Sequence, residues 1–300
     1  MHLHEAAEFR ALEIIQDATF ESLGIVTGST PRMLTFVESD RFIGQLRDHT
    51  NIACVITTTE IARLLLDAGY GIAVVDNPRR AFYELHNALA QQMSFYWHDA
   101  PTEISPDAYI HPRAFVAEKN VRIGSGTVIE AGANILERSI LGSQIIVRSG
   151  ATIGSQGFEF KRVNDTVLSV AHAGGVKIGD RVEIQANSAI SRAVFGGYTE
   201  IGEDTKLDNL VHIAHNVSIG RRCLIAASAM IAGSVVIGDD VWIGPSASIS
   251  NGVTIGTGAS VTLGSVVMRD VAPGQKVTGN FAVEHQVFLR HLKQMIREMN

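Results

Sequence analysis

Two histidines three residues apart could do chemistry in the stretch LDNLVHIAHNVSIG, residues 207–220. His212 and His215 stand there among apolar and small residues. An imidazole with a pKa of about 6.5 can remove a proton near neutral pH, and it is also a common metal ligand. The spacing alone leaves three interpretations open: a metal pair, a catalytic group with a neighbour, or two polar residues of a scaffold.

The segment that carries these histidines repeats every six residues. From Ile201 to Val267, each of twelve successive sixth positions is Ile, Leu or Val. A small or modest apolar residue follows four positions later in most repeats, as at Val217 and Ala229. This period fits neither an α-helix nor an amphipathic strand. It predicts short strands and tight turns stacked into a β-helix with a continuous apolar interior.

Glycine often follows the aliphatic position, as at Gly220 and Gly238, and we expect these glycines to serve turns that need a positive φ. The same period appears from Ile104 onward and is interrupted at about residues 155–175 by SQGFEFKRVNDTVLSVAHAGG. A long loop that leaves a rigid scaffold is usually functional. The alternative is that this loop is a surface insertion that the fold tolerates.

The chain on either side of the repeats has a different pattern. Strand-like and helix-like runs alternate over residues 1–100 and predict a small α/β domain. The β-helix is predicted over residues 104–270, and helical spacing of apolar residues predicts a C-terminal helix over residues 278–300. Basic residues line another face of that helix, as either a solvated surface or a docking surface for an acidic carrier. They are Arg290, Lys293 and Arg297.

Composition narrows the class of protein. The net charge of -6 and the absence of a long basic run argue against nucleic acid as a partner. Two cysteines are too few for a disulfide framework, and they fit a reducing compartment. The N-terminus lacks a secretory h-region, and no apolar stretch approaches the ~20 residues of a membrane span. We therefore expect a cytoplasmic protein without a membrane span.

Three stretches carry a resemblance to a known family: IGSQGFEF (153–160), GGVKIGDRVEIQANSAISRA (174–193) and KLDNLVHIAHNVSIG (206–220). With the period of six, they resemble UDP-3-O-(3-hydroxyacyl)glucosamine N-acyltransferase of the lipid A pathway. The resemblance implies a mainly β fold, a left-handed parallel β-helix between an N-terminal uridine-binding-like α/β domain and a C-terminal helix. It also implies a homotrimer with active sites between adjacent β-helices.

The resemblance assigns roles to particular residues. It makes His215 the general base that takes the proton of the attacking amine, and it makes Gly233 the donor whose N–H holds the oxyanion. Eighteen residues separate the two, so they should stack if three repeats form one coil. His212 becomes a neighbour of His215 that contacts the substrate, and no bound metal is expected. No cofactor is expected either, because the co-substrate is an acyl thioester of acyl carrier protein or of CoA.

Several positions depart from the family's pattern and bear on substrate binding. Phe36, Ser39 and Phe42 fall where the family has an aromatic pair and an asparagine that hold the uracil. Phe42 therefore lacks the hydroxyl of the family's tyrosine, and Ser39 lacks the amide of the family's asparagine. Core packing is the alternative role of both phenylalanines. The family's second histidine is replaced by Gly252, beside Asn251. Further substrate contacts are expected from three residues, Asn209, His212 and Asn251.

The leading hypothesis is an N-acyltransferase that moves a 3-hydroxyacyl group from acyl carrier protein to the amine of a UDP-linked amino sugar. A second hypothesis keeps this chemistry with acetyl-CoA or acyl-CoA and another nucleotide amino sugar. A third is a silent β-helix binding protein. A fourth is a zinc hydratase of the β-helix carbonic anhydrase type.

Overall fold

The computed structural model describes residues 1–9, 11–28, 30–92, 94–279 and 282–299. It begins with an α/β unit whose five-stranded sheet has the order β1-β5-β4-β3-β2, with β1 antiparallel to β5 and the others parallel. Its central strands are buried because packed clusters cover both faces of the sheet. The elements are α1 (Leu3–Ala6), β1 (Glu13–Gln16), β2 (Ser22–Leu23), β3 (Met33–Val37), a 3₁₀ turn (Asp40–Phe42), α2 (Ile43–Asp48), β4 (Ile52–Thr57), α3 (Thr59–Ala62), β5 (Gly71–Val74) and α4 (Pro78–Gln91).

Three parallel sheets of very short strands follow and form the faces of a β-helix. Successive strands of one sheet are eighteen residues apart through most of the solenoid, as in the pairing of His212 with Met230. The first face contains Glu103–Ile104, Val121–Ile123, Ser139–Leu141, Gly175–Ile178, Tyr198–Ile201, Ser218–Ile219, Val236–Ile237 and Thr254–Ile255. The second contains Tyr109–Ile110, Val128–Ile129, Ile146–Val147, Glu183–Ile184, Lys206–Leu207, Leu224–Ile225, Trp242–Ile243, Ser260–Val261 and Lys276–Val277. The third contains Phe115–Val116, Asn134–Ile135, Thr152–Ser155, Ala189–Ser191, His212–Ile213, Met230–Ile231, Ser248–Ile249 and Val266–Val267.

The period of six corresponds to one face of the coil, and the mainly β fold class is confirmed. All twelve aliphatic positions from Ile201 to Val267 are buried in a single core cluster. The small residues four positions later, such as Val217 and Ala229, are buried in the same cluster. Neighbouring coils therefore share one apolar interior, and the strand residue that precedes each aliphatic position faces outward.

The glycines after the aliphatic positions have a different role from the predicted one. The left-handed residues in this region lie three positions after the aliphatic ones, and they include Asn216 (φ 59°) and Ser234 (φ 59°). Gly220 is not among the positive-φ residues, but a Cβ there would lie 2.6 Å from the Gly238 backbone of the next coil. Glycine is needed here because adjacent turns approach too closely for a side chain.

The predicted loop at 155–175 returns to the α/β unit and contains a small hairpin. We call it the return loop; its strands Phe160–Val163 and Thr166–Ser169 pair antiparallel. Asn87 of α4 donates to the Ser169 carbonyl and accepts from the Ala171 N–H, at 2.7 and 2.9 Å. These bonds and the packing of Val170 in the core of the α/β unit fasten the loop to that unit.

His86 is a buried neutral bridge at this junction. Its Nε2 donates to the Ala171 carbonyl and its Nδ1 accepts from the Tyr96 hydroxyl, both at 2.8 Å. Burial lowers the pKa of His86 from 6.5 to about 4, while the bond to Ala171 opposes this change. The folded protein therefore resists protonation of His86 in a range where the unfolded chain takes up the proton.

We expect acid to destabilise the protein through His86. The unfolded histidine binds a proton as the pH falls through 6.5, and the folded one does so only near 4, so stability is lost between these values. A tenfold difference in proton affinity is worth about 1.4 kcal/mol, so the loss is on the order of 3 kcal/mol. Denaturation midpoints at pH 7 and pH 4.5 should therefore differ less in His86→Gln than in the wild type.

The exposed His98 provides the matched control for this experiment. His98→Gln removes a histidine from the same region and should keep the wild-type dependence on pH. Equal pH dependence in His86→Gln and the wild type would contradict the prediction.

The C-terminal helix, α5, spans His285–Met299. The helix was predicted from residue 278, but it begins only at His285; residues 280, 281 and 300 lie outside the described part of the chain. Most of its described side chains are exposed, including those of Arg290, Lys293 and Arg297. In the described ranges, no helix has both the length and the apolar character needed to cross a bilayer.

Candidate active site

His215 lies at a turn of the coil, directly after the strand His212–Ile213. The buried Ile213 anchors this strand in the core, and the following turn leaves the His215 side chain 14% exposed. The main-chain carbonyl of His215 accepts a bond of 3.0 Å from the N–H of Ser234 in the next coil. A rigid ladder therefore fixes the backbone of the histidine while its ring remains accessible.

Asn216 determines which nitrogen of His215 carries the proton. The Asn216 Oδ1 accepts from the Val194 N–H at 3.1 Å, which identifies this atom as the oxygen of the amide. The same oxygen lies 3.1 Å from His215 Nδ1, so Nδ1 donates a proton to it. In neutral His215 the lone pair is therefore on Nε2. The Asn216 N–H, in turn, donates to Thr199 Oγ1 at 2.9 Å and holds this turn in place.

Gly233 packs against the ring of His215. A Cβ at position 233 would lie 2.6 Å from His215 Cε1 and 2.8 Å from Nε2, closer than real Cβ contacts. Within the described residues, the N–H of Gly233 donates no hydrogen bond to the protein. The position eighteen residues after His215 thus offers an unpaired N–H beside the ring, and a side chain at this position would displace the ring.

A carboxylate from the return loop faces the other side of the ring. Glu159 Oε2 lies 3.2 Å from His215 Nε2, and Glu159 Oε1 lies 2.5 Å from the Lys161 ammonium. Burial favours the neutral acid, but the hydrogen bonds from Lys161 and from the protonated form of His215 prevail and lower the pKa of Glu159 to about 2. Glu159 is therefore ionised, and a proton on Nε2 would be donated to it.

A second imidazole adjoins His215. The ring of His172 is 3% exposed and stands edge-on to the His215 ring, with centroids 5.5 Å apart. Neither nitrogen of His172 has a hydrogen-bond partner within the described residues. Burial, together with the charge of a protonated His215, lowers the pKa of His172 to about 4. A Cβ at Gly157 would lie 2.9 Å from His172 Nε2 and 3.4 Å from His215 Cδ2, so this glycine makes room for both rings.

The predicted substrate contacts near His215 are exposed. His212 precedes the inward Ile213 and faces outward, and partial desolvation together with His215 lowers its pKa. Asn251 is exposed and places its Oδ1 3.0 Å from a Cβ built on Gly233, so it borders the site. Asn209 lies one turn earlier and bonds Asp208 through its N–H and its side chain. The roles of these residues stay predictions.

The three residues predicted to hold a uracil are separated. Ser39 lines a cleft of about 670 Å³ at the carboxyl ends of β3, β4 and β5, and four carboxylates also line it: Glu38, Asp40, Glu60 and Asp76. Phe42 is half-buried under the guanidinium of Arg41, 4.6 Å from its ring centroid. Phe36 packs on Phe82 instead, with ring centroids 5.0 Å apart. Of the three residues, Ser39 lines this cleft, and Phe36 and Phe42 do not.

Phe36 is nevertheless linked to His215 by a chain of contacts. Its ring centroid lies 5.8 Å from that of Tyr83, and the Lys161 ammonium lies 5.1 Å from the centroid of the Tyr83 ring. Lys161 pairs with Glu159, which reaches His215. The aromatic cluster of the α/β unit and the β-helix turn are thus joined through the return loop.

One group of three metal-type ligands occurs among the described residues, and it is distant in sequence from the imidazole site. It consists of His2, His4 and Asp17, all exposed at the start of the chain. In the described ranges, His215 belongs to no such group of three or more.

Sequence reasoning did not identify Glu159, Lys161 and Asn216 as site residues. Glu159 and Lys161 lie on the long loop, whose length was the available signal. Asn216 directly follows the histidine, and its left-handed turn is typical of asparagine. Which of the loop's charged residues reaches the ring could not be predicted from their order in the chain.

Comparison with known proteins agrees with this architecture. The family model described as bacterial transferase hexapeptide (six repeats) matches residues 198–233 and 234–268. A Francisella novicida UDP-N-acetylglucosamine acyltransferase structure is similar in fold, with a TM-score of 0.54 and 20% identity, and the match covers 63% of this chain and 69% of that one.

Relatives with similar sequences identify the family more specifically than the fold does. UDP-3-O-acylglucosamine N-acyltransferase 1 of Gloeobacter violaceus is 47% identical over 29% of this chain, a match that spans only 25% of that relative's length. UDP-3-O-acylglucosamine N-acyltransferase of Leptothrix cholodnii is 30% identical, covering 72% of this chain and 70% of that protein. UDP-3-O-acylglucosamine N-acyltransferase 2 of Legionella pneumophila is 33% identical, covering 94% and 89%. Because this likeness extends through the α/β unit and the β-helix alike, the chain belongs to the UDP-3-O-acylglucosamine N-acyltransferase family.

Proposed function

We propose that the protein transfers an acyl group, a 3-hydroxyacyl group, from a thioester of acyl carrier protein to the amine of a UDP-linked amino sugar. His215 is the general base, and the N–H of Gly233 stabilises the oxyanion. The product would belong to lipid A synthesis, as the resemblance of the sequence implies. The observation that carries the proposal is the arrangement of one imidazole between a fixed Nδ1 partner and an unpaired main-chain N–H.

The chemistry needs a base and an oxyanion donor on the same reacting centre. The amine nitrogen attacks the thioester carbonyl, and a C–N bond forms while the carbonyl oxygen gains negative charge. His215 Nε2 takes a proton from that nitrogen, since Asn216 keeps the other proton on Nδ1. The C–S bond then breaks, and the imidazolium returns the proton to the departing thiolate. Removal of one oxyanion donor from a related kind of site typically costs ~3–4 kcal/mol.

The identity of the donor is supported by the C-terminal helix. Arg290, Lys293 and Arg297 are exposed there and provide positive charge for an acidic carrier protein. Acyl-CoA is the alternative donor, since its phosphates carry negative charge as well. The two donors are separated by comparing kcat/KM with acyl-carrier-protein and CoA thioesters of one chain length.

We also propose a homotrimer, with the site completed between adjacent β-helices. Outward strand residues on the helix faces are apolar and 40–47% exposed, a pattern that favours burial against another copy. They are Leu224, Met230, Val236 and Trp242.

We expect sedimentation to report a particle of about three times the 32.3 kDa chain mass, because burying these apolar faces favours association. Trp242→Lys places a charge on the second face and should shift the distribution towards the monomer. Leu64→Lys, on the α/β unit where Leu64 is 55% exposed, is the matched control and should not. A wild-type monomer at micromolar concentration would contradict the proposed assembly.

The activity is tested directly with purified protein. UDP-3-O-acylglucosamine and a 3-hydroxyacyl thioester of acyl carrier protein should give a product whose mass increases by that acyl group. Transfer should require the free amine, so the N-acetylated sugar nucleotide should not react at nitrogen. The absence of product with both thioester donors would overturn the proposal and favour a binding protein.

A further inference from the structure

The Glu159 carboxylate lies beside the nitrogen of His215 that takes the proton in the proposed reaction. Its Oε2 is 3.2 Å from His215 Nε2, the nitrogen that carries the lone pair when His215 is neutral and its proton is on Nδ1. Hydrogen bonds from nitrogen to such atoms are about 2.9 Å long. If the amine nitrogen that receives the acyl group lies at this distance from both atoms, the three atoms form a nearly equilateral triangle. The carboxylate and the imidazole can therefore bind the same acceptor atom at once.

An amine and a hydroxyl differ in what they can offer this pair. An amine has at least two N–H protons, so one can be donated to Glu159 while the other is donated to His215 Nε2. A hydroxyl has a single O–H proton, which the base needs, and its remaining lone pairs would face an ionised carboxylate. The Glu159–His215 pair thus favours nitrogen and disfavours oxygen.

The negative charge of Glu159 also favours an amine over a hydroxyl. The attacking amine nitrogen becomes positive as the C–N bond forms, and an adjacent carboxylate stabilises that charge. Glu159 is held ready by Lys161, whose ammonium lies 2.5 Å from the other carboxylate oxygen and 5.1 Å from the Tyr83 ring centroid. The side chain is 17% exposed, so water screens the interaction little.

We propose that Glu159 is a specificity residue that binds the acceptor amine and selects it over a hydroxyl at the same position. This inference rests on the proposed N-acyltransferase function and adds the residue that reads the acceptor atom. During the reaction Glu159 accepts one hydrogen bond and exchanges no proton. His215 remains the group that takes the proton.

The test compares two acceptors that differ in one atom. UDP-3-O-acylglucosamine and its 2-hydroxy counterpart, UDP-3-O-acylglucose, are titrated by calorimetry into the wild type and into Glu159→Gln without a donor. The wild type should bind the amine more tightly. In Glu159→Gln the ratio of the two Kd values should fall about 10-fold to 100-fold, because a hydrogen bond to a charged group is replaced by one to a neutral group. The kcat/KM for the amine should fall in parallel.

A carboxylate on the same loop provides the matched control. Asp165 is exposed at the tip of the hairpin, so Asp165→Asn removes the same charge at a distance from the base and should keep the wild-type Kd ratio. Glu159→Asp retains the charge and should keep a higher ratio than Glu159→Gln. If Glu159→Gln lowers the thermal denaturation temperature, the Kd ratio of Glu159→Asp is compared with that of the wild type instead.

The outcomes separate the two proposals. If the wild type acylates the amine but the Kd ratio is the same in Glu159→Gln, the selective role is wrong and the proposed function stands. An equal loss of affinity for both acceptors would also overturn it, because Glu159 would then only position His215 or the loop. If the wild type transfers no acyl group to the amine, the function fails first and the inference falls with it.

Discussion

His215→Ala should lower kcat for acyl transfer by about 10²–10⁴-fold, the range for loss of a general base. The variant should fold, because the ring is partly exposed and the ladder is made by the main chain and by inward residues such as Ile213. Steady-state assays with saturating acceptor and thioester donor measure the effect. Mass analysis of the product confirms that the remaining rate is acyl transfer and not hydrolysis of the thioester.

His111→Ala is the control for this experiment. His111 also follows a short strand of the β-helix, and its Nδ1 accepts a local bond of 3.1 Å from the Arg113 N–H. Its removal should leave kcat near the wild-type value. A His215→Ala variant with near wild-type kcat would show that another group takes the proton, and His172 would then be the nearest imidazole.

Gly233→Ala should be the second most damaging change, although it adds only a methyl group. The new Cβ would lie 2.6 Å from His215 Cε1, so the ring has to move by several tenths of an ångström to reach ordinary contact. A misplacement of about 1 Å at a reacting group can cost about 10²-fold in rate, and we expect a loss of this order in kcat. The N–H remains in alanine, so the loss would come from displacement of the base.

Gly44→Ala provides the comparison for this substitution. A Cβ at Gly44 meets no atom within 4 Å, so this variant should keep full activity and similar stability. Unchanged kcat in Gly233→Ala would mean that the His215 ring can move freely without consequence. That result would contradict the close packing of the two residues as the basis of catalysis.

The period of six was sufficient to predict the scaffold. Each coil stacks on its neighbours eighteen residues away, so burial of Ile213 or Ile231 is determined locally and can be predicted from the spacing. For the same reason the stacking of Gly233 on His215 followed from their separation in the chain. The role of Gly220 was missed because a close approach between coils is a property of two turns together.

The surroundings of His215 depend on long-range contacts that the period of six does not predict. The return loop brings Glu159 and His172 to His215, and bonds from Asn87 and His86 of α4 help to hold its far end. These partners are more than eighty residues apart in the chain, and their pairing depends on how the α/β unit packs on the β-helix. The stretch around the two histidines and its family resemblance were thus enough to predict His215 as a base, whereas the tertiary structure decided which charge faces that ring, because long-range packing places the loop and local repetition does not.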